Sequence, residues 1–66
     1  MDIMATVAGV SPETDYGRPV DEVTVTHEGT SSTWHTDRGK YTVGQQVPAE
    51  VHPTPGGAFL EITPVT

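Results

Sequence analysis

Apolar and polar positions alternate strictly in the last third of the chain. In GQQVPAEVHPTPGGAFLEITPV, Val47, Ala49 and Val51 alternate with Pro48, Glu50 and His52, while Ala58, Leu60 and Ile62 alternate with Phe59, Glu61 and Thr63. A period of two sends alternate side chains to opposite faces of a strand. Folding the two runs over HPTPGG predicts a hairpin in which Val51 faces Ala58, Ala49 faces Leu60 and Val47 faces Ile62, all on the buried side. The same register sends Phe59 outward, next to Glu50, with Glu61 and His52 on that outer face.

A second hairpin is predicted from Asp21 to about Asp37, where Val23 and Val25 alternate with Thr24 and Thr26. A tight turn centred on Glu28 and Gly29 pairs His27 with Thr30, Val25 with Ser32 and Val23 with Trp34, which collects the apolar residues on one face. His35 then lies across from Glu22 on the other face. Upstream, a first strand is predicted over Ile3–Val10, with small apolar groups on both faces as in a strand covered twice or at a barrel seam. The run SPETDYGRP, Ser11 to Pro19, reads as a loop broken by Pro12, Gly17 and Pro19, with a helical turn after Ser11 as its only regular option. Asp37 to Lys40 reads as a turn, and Tyr41 to Val43 as a short strand or extended link.

No apolar stripe recurs at helical spacing. Eleven threonines favour pleated structure, and seven glycines and six prolines leave little room for a helix. The reading is therefore all-β: a small five-stranded barrel, OB-like or SH3-like, formed by residues 1–66 as one domain. Closing the meander removes edges that would otherwise recruit other strands. An open, twisted antiparallel sheet that dimerises is the alternative.

The C-terminal pair also resembles the last two strands of cold-shock domains, which are OB folds. The matching residues are Gly44, Val47, Val51, Gly56, Gly57, Ile62, Thr63, Pro64 and Val65, about a third of the chain. The resemblance implies the architecture. It does not extend to the aromatic- and lysine-rich strand motifs with which that family stacks bases: VDEVTVTHE and SSTWHTD hold one aromatic and no lysine.

Charge narrows the function. Nine acidic residues face three Lys and Arg, for a net charge of −6. Six of the acids, with Arg18 alone against them, lie in residues 1–33. Binding a phosphate backbone requires clustered cations that displace counterions, and three cannot supply much of that. An acidic surface suits a basic protein partner instead, or a high-salt environment. A chain this short encloses an enzyme pocket with difficulty. It has no cysteine for disulfides or thiolate ligands. Its apolar runs are too short to span a bilayer, and MDIMATVAGV lacks the cationic start of a secretion signal, so a cytoplasmic location is expected.

Candidate chemistry is sparse. His27 and His35 fall on opposite faces of their hairpin and His52 lies near a Pro-rich loop, so the three histidines are not expected to converge on a metal. Glu50 and Glu61 are neighbours on a water-exposed face, where nothing separates their proton affinities as acid–base catalysis requires. The loop bearing Glu13 and Asp15 lacks calcium-loop spacing, and Gly56–Gly57 stands alone as a turn rather than a phosphate cradle. No catalytic, cofactor or metal residue is assigned. The expectation is a non-catalytic binding or structural module acting through protein contacts. Its surface would be built on Phe59, His52, Glu50 and Glu61, with an acidic edge of Asp21, Glu22 and Glu28 steering a basic partner. A homodimer is a second form of such contact. An OB-like binder of single-stranded nucleic acid, or an acidic mimic of nucleic acid that blocks a basic protein site, are the alternatives.

Overall fold

The computed structural model describes residues 2–65. Five strands follow one another: β1 (Asp2–Asp15), β2 (Arg18–His27), β3 (Thr30–Asp37), β4 (Gln46–Pro53) and β5 (Leu60–Pro64). They form one antiparallel sheet in the order β3-β2-β1-β4-β5. The sheet curls into a nearly closed barrel, so β3 and β5 pack side by side. The five-stranded barrel expected from the alternation is therefore what the chain adopts. A hydrogen bond from the Ile62 backbone N–H to Ser32 Oγ (2.8 Å) crosses the remaining seam.

β1 is the central strand and has two partners. Residues 2–6 pair with β4 and residues 6–15 with β2, so Thr6 faces both Thr26 and Gln46. The β1–β2 register slips between Val7 and Gly9. Such a bulge bends a strand and increases its twist. It also explains the irregular pattern in MATVAGV. Ala5 and Val7 point inward, Ala8 is the extra residue, and the inward set resumes at Val10, opposite Val23.

The β2–β3 hairpin has the register predicted from the sequence. His27 faces Thr30, Val25 faces Ser32, Val23 faces Trp34 and Glu22 faces His35. Glu28 and Gly29 form the two-residue turn, with φ of 47° and 82°. Positive φ at both centres gives the mirror-image turn that matches strand twist, and glycine takes the second position without steric cost.

The SPETDYGRP segment differs from expectation. It is neither a loop nor a helical turn but the end of the β1–β2 hairpin, closed by Tyr16 and Gly17 (φ 49° and 79°) with Asp15 opposite Arg18. Pro12 faces Asp21 and Pro19 faces Thr14. Hydrogen-bonded and non-hydrogen-bonded pairs alternate outward from a two-residue turn. Both prolines fall on non-bonded pairs, so neither deprives this ladder of a donor. Tyr41–Val43 is not a strand; it belongs to the connection between β3 and β4.

The last hairpin keeps the predicted faces but not the predicted partners. Val51 faces Ile62 rather than Ala58, and Ala49 faces Pro64. Residues 54–59 form a wider loop, closed where the Thr54 N–H donates to the Phe59 carbonyl (2.9 Å). The shift is by an even number of residues, so inward residues stay inward. Ala58, however, is exposed in the loop, and Leu60 is exposed opposite Pro53; neither joins the core.

The core consists of Ala5, Val7, Val23, Val25, Val47, Ala49 and Ile62, with Ile3, Val10, Trp34, Tyr41 and Val51 packed against it. Truncation at its centre should be costly: Ile62→Ala is expected to lower stability by about 2–5 kcal/mol in urea titration. Ser32→Ala should cost about 1 kcal/mol, by removing the acceptor at the seam.

Candidate functional site

The acidic edge expected at Asp21, Glu22 and Glu28 divides into three different environments. Asp21 is 5% exposed and is not a surface charge. Its place in the alternation, two residues before Val23, turns it inward. There Oδ2 accepts the Gly39 N–H (2.9 Å), and Oδ1 lies 3.9 Å from Arg38 Nε. Arg38 Nη2 reaches on to the carbonyls of Glu13 (2.7 Å) and Val20 (3.4 Å). Asp21 thus fixes the start of the β3–β4 connection against the β1–β2 hairpin. It cannot steer a partner.

Glu22 is half-exposed and lies opposite His35, as the register requires. His35 Nε2 is 3.6 Å from Glu22, and His35 Nδ1 is 3.9 Å from Asp15 at the end of β1. The imidazole therefore lies between two carboxylates, one toward each ring nitrogen. Glu28 sits in the exposed β2–β3 turn, 3.7 Å from His27. Thr24 and Thr33 share a hydroxyl hydrogen bond (3.1 Å) on the outer face between these groups. That face carries hydroxyls and carboxylates and no large apolar group.

The second cluster lies on β4 and β5. His52 faces Glu61, and Glu50 faces Thr63 on one side and Asp2 on the other. His52 Nε2 lies 3.2 Å from Thr63 Oγ1. Glu50 and Glu61 are thus offset diagonally on one outer face. Phe59 is outward, as expected, and 75% exposed. Its neighbour is different: the wider loop sets it opposite Thr54, where the Phe59 N–H reaches Thr54 Oγ1 (3.4 Å), and not beside Glu50. Leu60, expected in the core, joins it at the surface with 55% exposure.

Phe59 and Leu60 are the only phenylalanine and the only leucine of the chain. Both are exposed, but Phe59 has the outward parity of Glu61 and His52, and Leu60 the opposite parity, on the rim beyond the core. The alternation identified Phe59. Leu60 was missed because it has inward parity, and only the register shift removes it from the core.

A shallow hollow of about 370 Å³ opens among Asp2, Ile3, Met4, Pro48, Ala49 and Val65 on the β1–β4–β5 side. Its walls offer no converging polar groups. Among the described residues, no three His, Cys, Asp or Glu side chains are placed to hold a metal ion. No helix among them is long and apolar enough to cross a membrane. No family model, curated protein or solved structure matches this chain.

Asp21→Ala is expected to destabilise the protein by about 1–3 kcal/mol, because it leaves the Gly39 N–H without its acceptor and the Arg38 guanidinium without the carboxylate beside it. Asp21→Asn, which can still accept from Gly39, should recover part of the loss in the same urea titration. Phe59→Ala should stay within about 0.5 kcal/mol of the unsubstituted protein, as expected for an exposed side chain.

Proposed function

We propose that this protein is a non-catalytic, OB-like binding module that works through protein–protein contact, with Phe59 as its anchor. The observation that carries the reading is the exposure of Phe59 and Leu60 together while the core is built from valine, alanine and isoleucine. Aromatic anchors ringed by polar groups dominate the energetics of protein interfaces. Glu61 and His52 form part of such a rim, and Glu50 lies further along the same face.

The partner surface that complements this rim is basic. Glu22, Glu28, Glu50 and Glu61 remain at the surface when Asp21 is set aside, and the net charge of −6 speeds encounter with a cationic protein. Arginine and lysine around an apolar socket for Phe59 describe that partner in chemical terms.

A binder of single-stranded nucleic acid is the second reading, favoured by one observation. A five-stranded, partly open barrel whose first strand pairs with both the second and the fourth resembles the OB architecture. OB folds bind through the β2–β3 face, which here presents Glu22, Thr24, Thr33 and His35 and no stacking aromatic. The charge and this composition favour the protein partner.

Purifying the partner from the native host with a tagged chain, then titrating it with purified protein, tests the proposal. Phe59→Ala should weaken that complex at least tenfold with an unchanged circular dichroism spectrum, and the affinity of the original chain should fall as salt rises. Unaltered affinity in the variant refutes the assignment of Phe59. Tight, salt-sensitive binding to an oligonucleotide would move the function to the second reading.

A further inference from the structure

The ladders arrange the outer face of β1, β4 and β5 in rows. Met4 faces Pro48, and the Val65 N–H donates to the Pro48 carbonyl (3.2 Å), so Met4, Pro48 and Val65 form one row across the three strands. Asp2 faces Glu50, and Glu50 faces Thr63, which makes the next row. These six side chains share the outward parity, opposite to that of Ile3 and Ala49.

The hollow of about 370 Å³ lies between the two rows. Asp2, Met4, Pro48 and Val65 supply its walls. Ile3 and Ala49 turn their side chains toward the core, so they give it only the backbone that forms its floor. One side of the hollow is apolar, with Met4 52% and Val65 48% exposed. The other is anionic, with Asp2 in the wall and Glu50 standing across from it at the rim.

This anionic side has no counter-charge. Like charges directly opposite on neighbouring strands repel. Among the described residues, β4, β5 and the part of β1 that pairs with β4 contain no lysine or arginine. The three cations of the chain are elsewhere: Arg18 lies by Asp37, Arg38 by Asp21, and Lys40 over the Tyr41 ring.

Shape and charge together specify an occupant. A hollow with one apolar and one anionic side matches a side chain with an aliphatic stem and a cationic head. Carboxylates on two separate strands require a head that donates from more than one edge. A guanidinium carries five donors in a plane, whereas an ammonium is a compact point charge. Phe59 has the same outward parity on the β5 side, four residues before Thr63, a strand distance of about 13 Å.

We propose that the hollow is an arginine subsite: it takes one arginine side chain of a basic protein partner, the stem against Met4, Pro48 and Val65 and the guanidinium between Asp2 and Glu50. The subsite rests on the basic partner of the proposed function and gives that partner a second fixed contact besides Phe59. Bound arginine ends the repulsion between the two carboxylates, so an opposition that is unfavourable in the free chain becomes favourable in the complex. An apolar or acidic side chain satisfies at most one side of the hollow.

N-acetyl-arginine amide, with N-acetyl-citrulline amide as its neutral isostere, tests the subsite on the intact protein at low salt, read by backbone amide chemical shifts. The arginine compound should shift Ile3, Met4, Ala49, Glu50 and Val65 saturably, and added salt should weaken it. The citrulline compound should leave them in place. Glu50→Gln should weaken the arginine compound about threefold, as expected for an exposed ion pair. The same variant should melt no lower than the original chain, because it removes a like-charge opposition. Met4→Ser should also weaken binding, and Glu13→Gln and Phe59→Ala should leave it unchanged. Absence of saturable shifts, equal shifts with citrulline, or equal shifts around every exposed carboxylate would each overturn the subsite. So would calcium ion binding more tightly at the same residues, which would give the carboxylate pair to a metal. If the arginine compound fills the hollow but no protein partner is recovered, the subsite stands and the proposed function falls. If a partner is lost by Phe59→Ala while the arginine compound shifts nothing, the subsite falls and the proposed function stands.

Discussion

The fold depends on one strand serving two ladders. β1 pairs with β4 through its first residues and with β2 through the rest, and Thr6 belongs to both. An extended strand would carry its partners off as a flat sheet with two distant edges. The bulge that follows Val7 bends it, and the connection before β4 locks onto the bend, with the Val7 N–H donating to Gln45 O (2.9 Å) and the Gly44 N–H to Val7 O (2.8 Å). From this bend the β2–β3 and β4–β5 pairs curl toward each other until Ser32 meets Ile62.

The bend also determines what fits inside. The interior is filled with valines, alanines and one isoleucine, and the larger Trp34 and Tyr41 pack only partly against it. Small barrels have little internal volume, and side chains must match it closely. Other large apolar side chains lie at the surface. Tyr16, Phe59, Leu60 and Met4 are all more than half exposed.

How much of this was legible in the sequence varied with the element. The β2–β3 hairpin was fully legible, because a two-residue turn fixes the register of everything behind it. The last hairpin was legible in its faces but not in its pairs: TPGGAF has several ways to turn, and the Thr54–Phe59 closure that selects one is a tertiary choice. SPETDYGRP misled because proline breaks a ladder only when its nitrogen is needed, and the phase of the ladder is invisible until the turn is known. Asp21 misled differently. Its inward parity with Val23 and Val25 was present in the alternation, but an acid is ordinarily placed in water, and its partners at positions 38 and 39 come from the far end of β3. Of the candidate surface, the outward position of Phe59 could be read from the chain, and its neighbours could not.

The prolines carry one more consequence. On β5, the residues facing away from β4 are Leu60, Ile62 and Pro64, since Val65 and Thr54 already bond across to Pro48 and Phe59. Ile62 has given its N–H to Ser32, and Pro64 has none to give. On the arm of β1 beyond β4, Pro12 interrupts the outer row in the same way. Rows of carbonyls with too few donors between them make poor templates for another strand. Ordered stacking edge to edge, the route to fibrous cross-β aggregates, is thus impeded along β5 and along the free arm of β1.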